Sequence, residues 1–267
     1  MSELITIFLQ QAMSTVGIIA LFGLLFSLCR KGFCKILGDT GVFIINYIFG
    51  IVGTPIHELS HAFFCLIFGH KITEIDLFSP GDDDDSLGYV AHDYDEENLY
   101  HRIGLFFIGI GPVLGGSAVI LLLMHYLVPD LYNLLISDVN QLTIDNNNIY
   151  NYVKVIIDTV PMVFNETYTS IGHYWLFLLL ALMIASHMEL STADISGAKV
   201  GLAILLAVLF VVDAIVFAID PGLISVITSG TLYFGLFIAK ILIIGAIFNV
   251  ALLGVALFMM LVLKINR

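Results

Sequence analysis

Apolar stretches long enough to cross a lipid bilayer recur along the whole chain. A membrane-spanning helix needs about 20 apolar residues, and such runs begin near residues 4, 40, 103, 174, 200 and 222. The runs are continuous rather than alternating, which is not the pattern of an outer-membrane barrel. With 59% hydrophobic and 12% charged residues, a soluble enzyme is excluded. We predict an all-α polytopic membrane protein with about six to seven transmembrane helices and a small membrane-associated strand or loop segment.

Polar segments between the apolar runs divide the chain into five parts. We expect an N-terminal transmembrane helix with a basic loop (1–38), a segment with two helices and an acidic loop (39–128), a polar loop region (129–171), a further helical pair (172–219) and a C-terminal transmembrane tract (220–267). The last tract holds about 43 apolar residues, roughly 65 Å of helix, about twice the hydrocarbon thickness of a bilayer. We therefore expect it to cross twice, or once with a re-entrant segment.

The charge of the chain and the spacing of its cysteines limit which partners and metal sites we expect. The net charge is −12, and ten of the 22 acidic residues fall between Glu74 and Glu97, so nucleic acid is not an expected partner. The three cysteines, Cys29, Cys34 and Cys65, lie in or beside apolar runs without metal-type spacing, and we interpret them as ordinary small apolar residues. Basic residues follow the first apolar run instead of preceding it, so we expect a retained first helix. From the compact length and the lack of an organelle-targeting presequence, we expect a multi-pass protein of the bacterial plasma membrane.

One motif within the second apolar run contains side chains that can bind a metal ion. Residues 57–61 read His-Glu-Leu-Ser-His, the H-E-x-x-H pattern. Residues i and i+4 share one face of a helix, so His57 and His61 can present two imidazoles to one metal ion while Glu58 reaches a water molecule beside it. The alternative is a chance match, with histidines that only hydrogen-bond to neighbouring helices; ionisable groups at membrane depth are costly enough to make that rare.

A catalytic zinc ion needs a third protein ligand. The candidates at or near membrane depth are His187, Glu189, Asp194 and Asp213. Asp194 also fits a helix start, because Ser191 precedes it by three residues in the pattern of a capping box. Both roles can coexist if one carboxylate oxygen binds the metal and the other lies near the backbone amides.

These motifs together resemble a known family. The H-E-x-x-H helix, the Gly-Pro motif within Gly109–Gly116 and the segment Ser191–Ile195 are similar to those of the site-2 protease type of intramembrane zinc metalloproteases. The resemblance implies that His57, His61 and Asp194 bind Zn²⁺ and that Glu58 is the catalytic general base. The chain departs from the family in having Ile195, where glycine is common, after the aspartate.

The acidic loop region contains a segment of strand type. Leu87–Tyr94 combines apolar and aromatic residues. In site-2-type proteases, strands near the catalytic helix hold an extended substrate by edge pairing. By that resemblance, Tyr89 and His92 are candidates for substrate positioning, with a plain surface turn as the alternative.

The sequence thus predicts a zinc-dependent intramembrane endopeptidase that hydrolyses membrane-embedded or membrane-proximal protein or peptide substrates within the lipid bilayer. One alternative is a prenyl-protein-protease-like hydrolase that uses Glu189 as third ligand. Another is a membrane transporter or channel with an ion-binding His/Asp site. A third is an inactive relative that only binds membrane partners.

Overall fold

The computed structural model describes residues 2–80, 87–141, 161 and 171–262. These residues form eight helices and a two-stranded sheet. The helices are α1 Glu3–Leu37, α2 Asp39–Ile67, α3 Leu99–Gly109, α4 Gly111–Leu127, α5 Pro129–Gln141, α6 Ile171–Ala185, α7 Thr192–Ile219 and α8 Pro221–Val262. Helices α1 and α2 each contain one π-helical stretch, Met13–Gly17 and Ile44–Phe49 respectively. Most of the predicted polar loop region 129–171 lies outside the described residues.

Four of the helices, α1, α2, α7 and α8, are long and apolar enough to cross a membrane. Helices α3 and α4 are bent by 59° at their junction and would make a fifth span if counted as one. Helix α6 is apolar, and 15 of its residues lie in the described part of the chain. A mostly helical membrane protein is therefore supported among the described residues, while the total of six to seven spans stays a prediction.

Helix α8 differs from the expectation for the C-terminal tract. It is one continuous helix of 42 residues, about 63 Å long at 1.5 Å per residue, so the expected break is not found. After Pro221 the tract contains no proline that would interrupt it. Its polar residues Lys240 and Asn249 are buried inside the bundle, and the Asn249 amide donates to the backbone carbonyl of Ala185 in α6 at 2.8 Å.

The hydrophobic core lies where α4, α6 and the middle of α8 meet. Its fully buried side chains include Val113, Phe177 and Leu242. Helix α7, in contrast, exposes most of its apolar surface on the outside of the bundle. It packs along α3. The H-E-x-x-H part of α2 contacts α3, α4 and α6, so the motif lies against several helix ends.

The bend between α3 and α4 replaces the single span predicted for this region. Pro112 follows Gly111 at the start of α4, and proline has no N–H and its ring collides with the carbonyl four residues earlier. That carbonyl belongs to Ile108, near the end of α3. The Gly-Pro motif therefore ends one helix, starts the next and frees a backbone acceptor.

A short hairpin connects α2 to α3. Strand β1 (Lys71–Asp76) pairs antiparallel with strand β2 (Tyr89–Asp93), with an irregularity in register between Ile72 and Glu74. Strand β2 lies within the segment predicted to have strand character. The hairpin contacts α2 through both strands, so it lies over the helix that carries the H-E-x-x-H motif.

Candidate metal centre

The two histidines of the motif face each other on α2. Their Nε2 atoms are 3.2 Å apart, and their ring centroids are 4.9 Å apart. This pairing follows from the four-residue spacing, which places both side chains on one face of the helix.

Backbone carbonyls at two helix breaks orient these rings. His57 Nδ1 lies 2.6 Å from the carbonyl oxygen of His187, just past the end of α6. His61 Nδ1 lies 2.7 Å from the carbonyl oxygen of Ile108, the acceptor that Pro112 frees. A carbonyl oxygen only accepts, so each Nδ1 carries the proton and each Nε2 keeps a lone pair for a metal.

Asp194 brings the third donor from the first turn of α7. Its Oδ1 lies 3.2 Å from His61 Nε2, and its Oδ2 lies 3.9 Å from His57 Nε2. Ser191 and Asp194 also form a capping box: the backbone N–H of Ser191 donates to Oδ2 at 2.8 Å, and the backbone N–H of Asp194 donates to Ser191 Oγ at 3.1 Å. The carboxylate therefore caps the helix and faces the histidines at once.

The donor set fits a metal ion of zinc type. The three donor atoms of His57, His61 and Asp194 lie within 4.8 Å of one another. Tetrahedral zinc with bonds of about 2.0–2.2 Å needs donors about 3.4 Å apart, close to the separations observed here. Two imidazoles and one carboxylate leave one coordination position open, which is the arrangement of catalytic rather than structural sites.

Two other candidate ligands, His187 and Glu189, line the same cavity but are not part of the donor group. Glu189 forms an ion pair with Arg30 at 3.0 Å and is not in the donor group. His187 contributes its backbone carbonyl to His57, while its imidazole Nδ1 lies 3.0 Å from Ser186 Oγ. The alternatives to Asp194 thus have other partners.

Asp213 belongs to a separate polar cluster. It is fully buried in α7 and accepts from the side-chain amide of Gln11 at 3.2 Å. Gln11 also donates to the Thr228 hydroxyl at 3.1 Å. Gln11 of α1 therefore links Asp213 of α7 to Thr228 of α8, and Asp213 is not in the donor group of the motif histidines.

A cavity of about 570 Å³ contains the candidate metal site. Glu58 is 7% exposed and lines this cavity together with His57, His61 and Asp194. The hairpin forms another wall, and a Cβ at Gly88 would lie 3.1 Å from Glu58 Cγ. The glutamate is thus enclosed between α2 and the chain leading into β2.

Tyr89 and His92, the predicted substrate-positioning residues, both line the cavity. The Tyr89 hydroxyl donates to Glu74 Oε1 across the hairpin at 2.5 Å. His92 Nδ1 lies 3.0 Å from His70 Nδ1. Strand β2 pairs with β1 along one edge, and its other edge has no strand partner among the described residues.

A second group of possible metal ligands was missed at the level of sequence. Cys65, His70 and His92 place one donor atom each within 4.8 Å of one another. The interpretation of Cys65 as an ordinary apolar residue is therefore incomplete. A usable signal was present, because Cys65 follows His61 by four residues and so continues the same helix face.

Comparison with family models, curated proteins and solved structures finds no match to this chain.

Proposed function

We propose that this protein is a zinc-dependent intramembrane endopeptidase of the site-2 protease type. The observation that carries the proposal is the convergence of His57, His61 and Asp194 beside the buried Glu58 in one cavity. Helices α1, α2 and α7, each long and apolar enough to span a bilayer, contribute residues to the wall of this cavity. A hydrolytic site in such a setting suits peptide bonds that lie in or next to the membrane.

Each residue has a defined task in this proposal. His57, His61 and Asp194 would hold the ion, which when bound supplies Lewis acidity to polarise a scissile carbonyl and acidify water. Glu58 takes a proton from the attacking water and delivers it to the departing amine. The carbonyls of His187 and Ile108 hold the two imidazoles in the required tautomer.

The hairpin offers a way to hold the substrate. A transmembrane helix must unwind before its amides become accessible, because its backbone groups are already paired within the helix. The edge of β2 away from β1, which has no strand partner among the described residues, can receive such an extended segment by strand addition. The Tyr89 hydroxyl and the His92 ring already have partners within the protein, so we assign substrate positioning mainly to the main chain of β2.

The ion pair of Glu189 with Arg30 favours Asp194 as third ligand over the prenyl-protein-protease-like arrangement. A carboxylate that forms an ion pair with a guanidinium 3.0 Å away is less available to bind a metal. Asp194, in contrast, directs one oxygen to each histidine.

The test is cleavage of single-span membrane peptides by the purified protein in liposomes, in water enriched in ¹⁸O. We expect peptide products with ¹⁸O in the new carboxyl group, formed by the wild type and not by the Glu58→Gln variant. The variant should retain its zinc. Ion flux that survives Glu58→Gln, with no cleavage of any peptide, would overturn the proposal in favour of a transporter.

A further inference from the structure

The end of α2 places a cysteine and a histidine side by side. The backbone N–H of His70 donates to the Cys65 carbonyl at 2.8 Å, and the N–H of Gly69 donates to the Leu66 carbonyl at 3.3 Å. These two bonds form a Schellman motif, which requires the left-handed conformation that Gly69 adopts at φ 72°. The motif normally brings an apolar pair together at these positions. Here the pair is a thiol and an imidazole.

The tautomer of His70 leaves a lone pair inside this turn. Its Nε2 lies 2.9 Å from the backbone carbonyl of His101 and must donate to it. Its Nδ1 is therefore unprotonated and lies 3.0 Å from His92 Nδ1. Tyr94 stacks on the His70 ring at 4.9 Å with an interplanar angle of 18°, which fixes the plane of the imidazole.

The pairing of β1 with β2 brings the third donor, His92, close to His70. His92 lies opposite Ile72 in the hairpin, and Ile72 follows His70 by two residues in the chain. Cys65 is fully buried, His70 is 3% exposed, and His92 is half-buried at the cavity wall.

We propose that Cys65, His70 and His92 form a second metal site, for a divalent ion of zinc type, that fastens the hairpin to the end of α2. Thiolate and imidazole are the ligands that zinc prefers in proteins. Binding releases the Cys65 proton to solvent, and His92 gives the ion a route from the cavity. This site does not depend on the peptidase activity proposed above.

The competing arrangement is a hydrogen bond alone, in which His92 Nδ1–H donates to His70 Nδ1. That bond would leave the Cys65 thiol without a role in the cluster. The two arrangements differ in one measurable property, since only the first converts Cys65 to a thiolate bound to metal.

Cobalt substitution separates the two clusters, because the cluster of His57, His61 and Asp194 has no sulfur. Purified, metal-free protein is titrated with Co²⁺ and its near-ultraviolet absorption is followed. We expect a thiolate-to-cobalt charge-transfer band that disappears when Zn²⁺ is added and that saturates by two equivalents in the wild type and by one equivalent in His57→Ala. Cys65→Ser should abolish the band, whereas the matched Cys34→Ser variant and His57→Ala should retain it.

A wild-type protein without the band would overturn the proposal, and this result needs no variant to fold. A band that persists in Cys65→Ser would also overturn it. His70→Ala should weaken Co²⁺ binding by at least about tenfold as read from the same band. If the second site binds cobalt while no peptide is cleaved, the second site stands and the peptidase proposal alone fails.

Discussion

The two ligand clusters lie on the same face of α2 but are built in different ways. The cluster of His57, His61 and Asp194, which we propose to be catalytic and call the catalytic cluster, takes its donors from two helices and opens into the cavity. The hairpin cluster, Cys65, His70 and His92, takes its donors from a helix end, a turn and a strand. Its cysteine is fully buried.

The difference indicates different roles for two clusters with similar metal-binding side chains. In each cluster a backbone carbonyl at or near a helix end fixes a histidine tautomer, as Ile108 does for His61 and His101 does for His70. Only the catalytic cluster combines an open wall with an adjacent buried glutamate, Glu58. The hairpin cluster joins a helix end, a turn and a strand, so a metal bound there would hold these three elements together.

The largest effect should come from Glu58→Gln. Loss of the general base should lower peptide cleavage about 10²- to 10⁴-fold while both clusters retain their metal. Cleavage rate and elemental zinc content are measured on the same preparation. Glu96→Gln, which alters an exposed glutamate, is the matched control and should cleave like the wild type. Equal activity of the two variants would remove Glu58 from the mechanism.

The next effect concerns the third ligand of the catalytic cluster. Asp194→Asn keeps an oxygen that can cap α7 but loses the carboxylate charge. Zinc affinity of this cluster, measured by competition with a chelator, should fall by more than the roughly 10- to 100-fold typical of groups that only orient a ligand. Glu189→Gln is the comparison and should leave that affinity near the wild-type value. The reverse order would assign the ligand role to Glu189.

Pro112→Ala tests the orientation of His61. Alanine restores a backbone N–H that competes for the Ile108 carbonyl. The hydrogen bond from His61 Nδ1 to that carbonyl should therefore weaken. We expect a decrease of about 10- to 100-fold in zinc affinity at the catalytic cluster and no change in the cobalt band of the hairpin cluster. Pro129→Ala, at the start of α5, is the control. Unchanged zinc affinity in Pro112→Ala would show that the bend does not orient the histidine.

The smallest effect should follow Tyr94→Leu. Loss of stacking on His70 removes about 0.5–1.5 kcal/mol, so Co²⁺ affinity of the hairpin cluster should fall about two- to tenfold. The catalytic cluster should be unaffected. Tyr126→Leu, on an exposed part of α4, serves as the control. An equal loss at both clusters would indicate a general change in the fold and not a local role.

Much of this architecture follows from local patterns. The four-residue spacing of His57 and His61 places them together once a helix forms, and Ser191 with Asp194 forms the capping box that their spacing predicts. The strand character of Leu87–Tyr94 corresponds to β2. Each of these features depends on residues close together in the sequence.

The features that were not predicted depend on contacts between distant residues. In α8, the buried Asn249 amide donates to the Ala185 carbonyl of α6, a contact that no local pattern indicates. The acceptor for His61 exists because Pro112, on another helix, frees the Ile108 carbonyl. The hairpin cluster combines three kinds of element, so spacing along the chain gives no signal for the full set.

Zinc content of detergent-purified protein, measured by elemental mass spectrometry after metal-replete purification, tests the central claim most directly. The wild type is compared with His57→Ala and Glu58→Gln. We expect His57→Ala to contain one zinc ion fewer per chain than the wild type, and Glu58→Gln to contain the same number. Equal zinc content in the wild type and His57→Ala would contradict a catalytic zinc at this site.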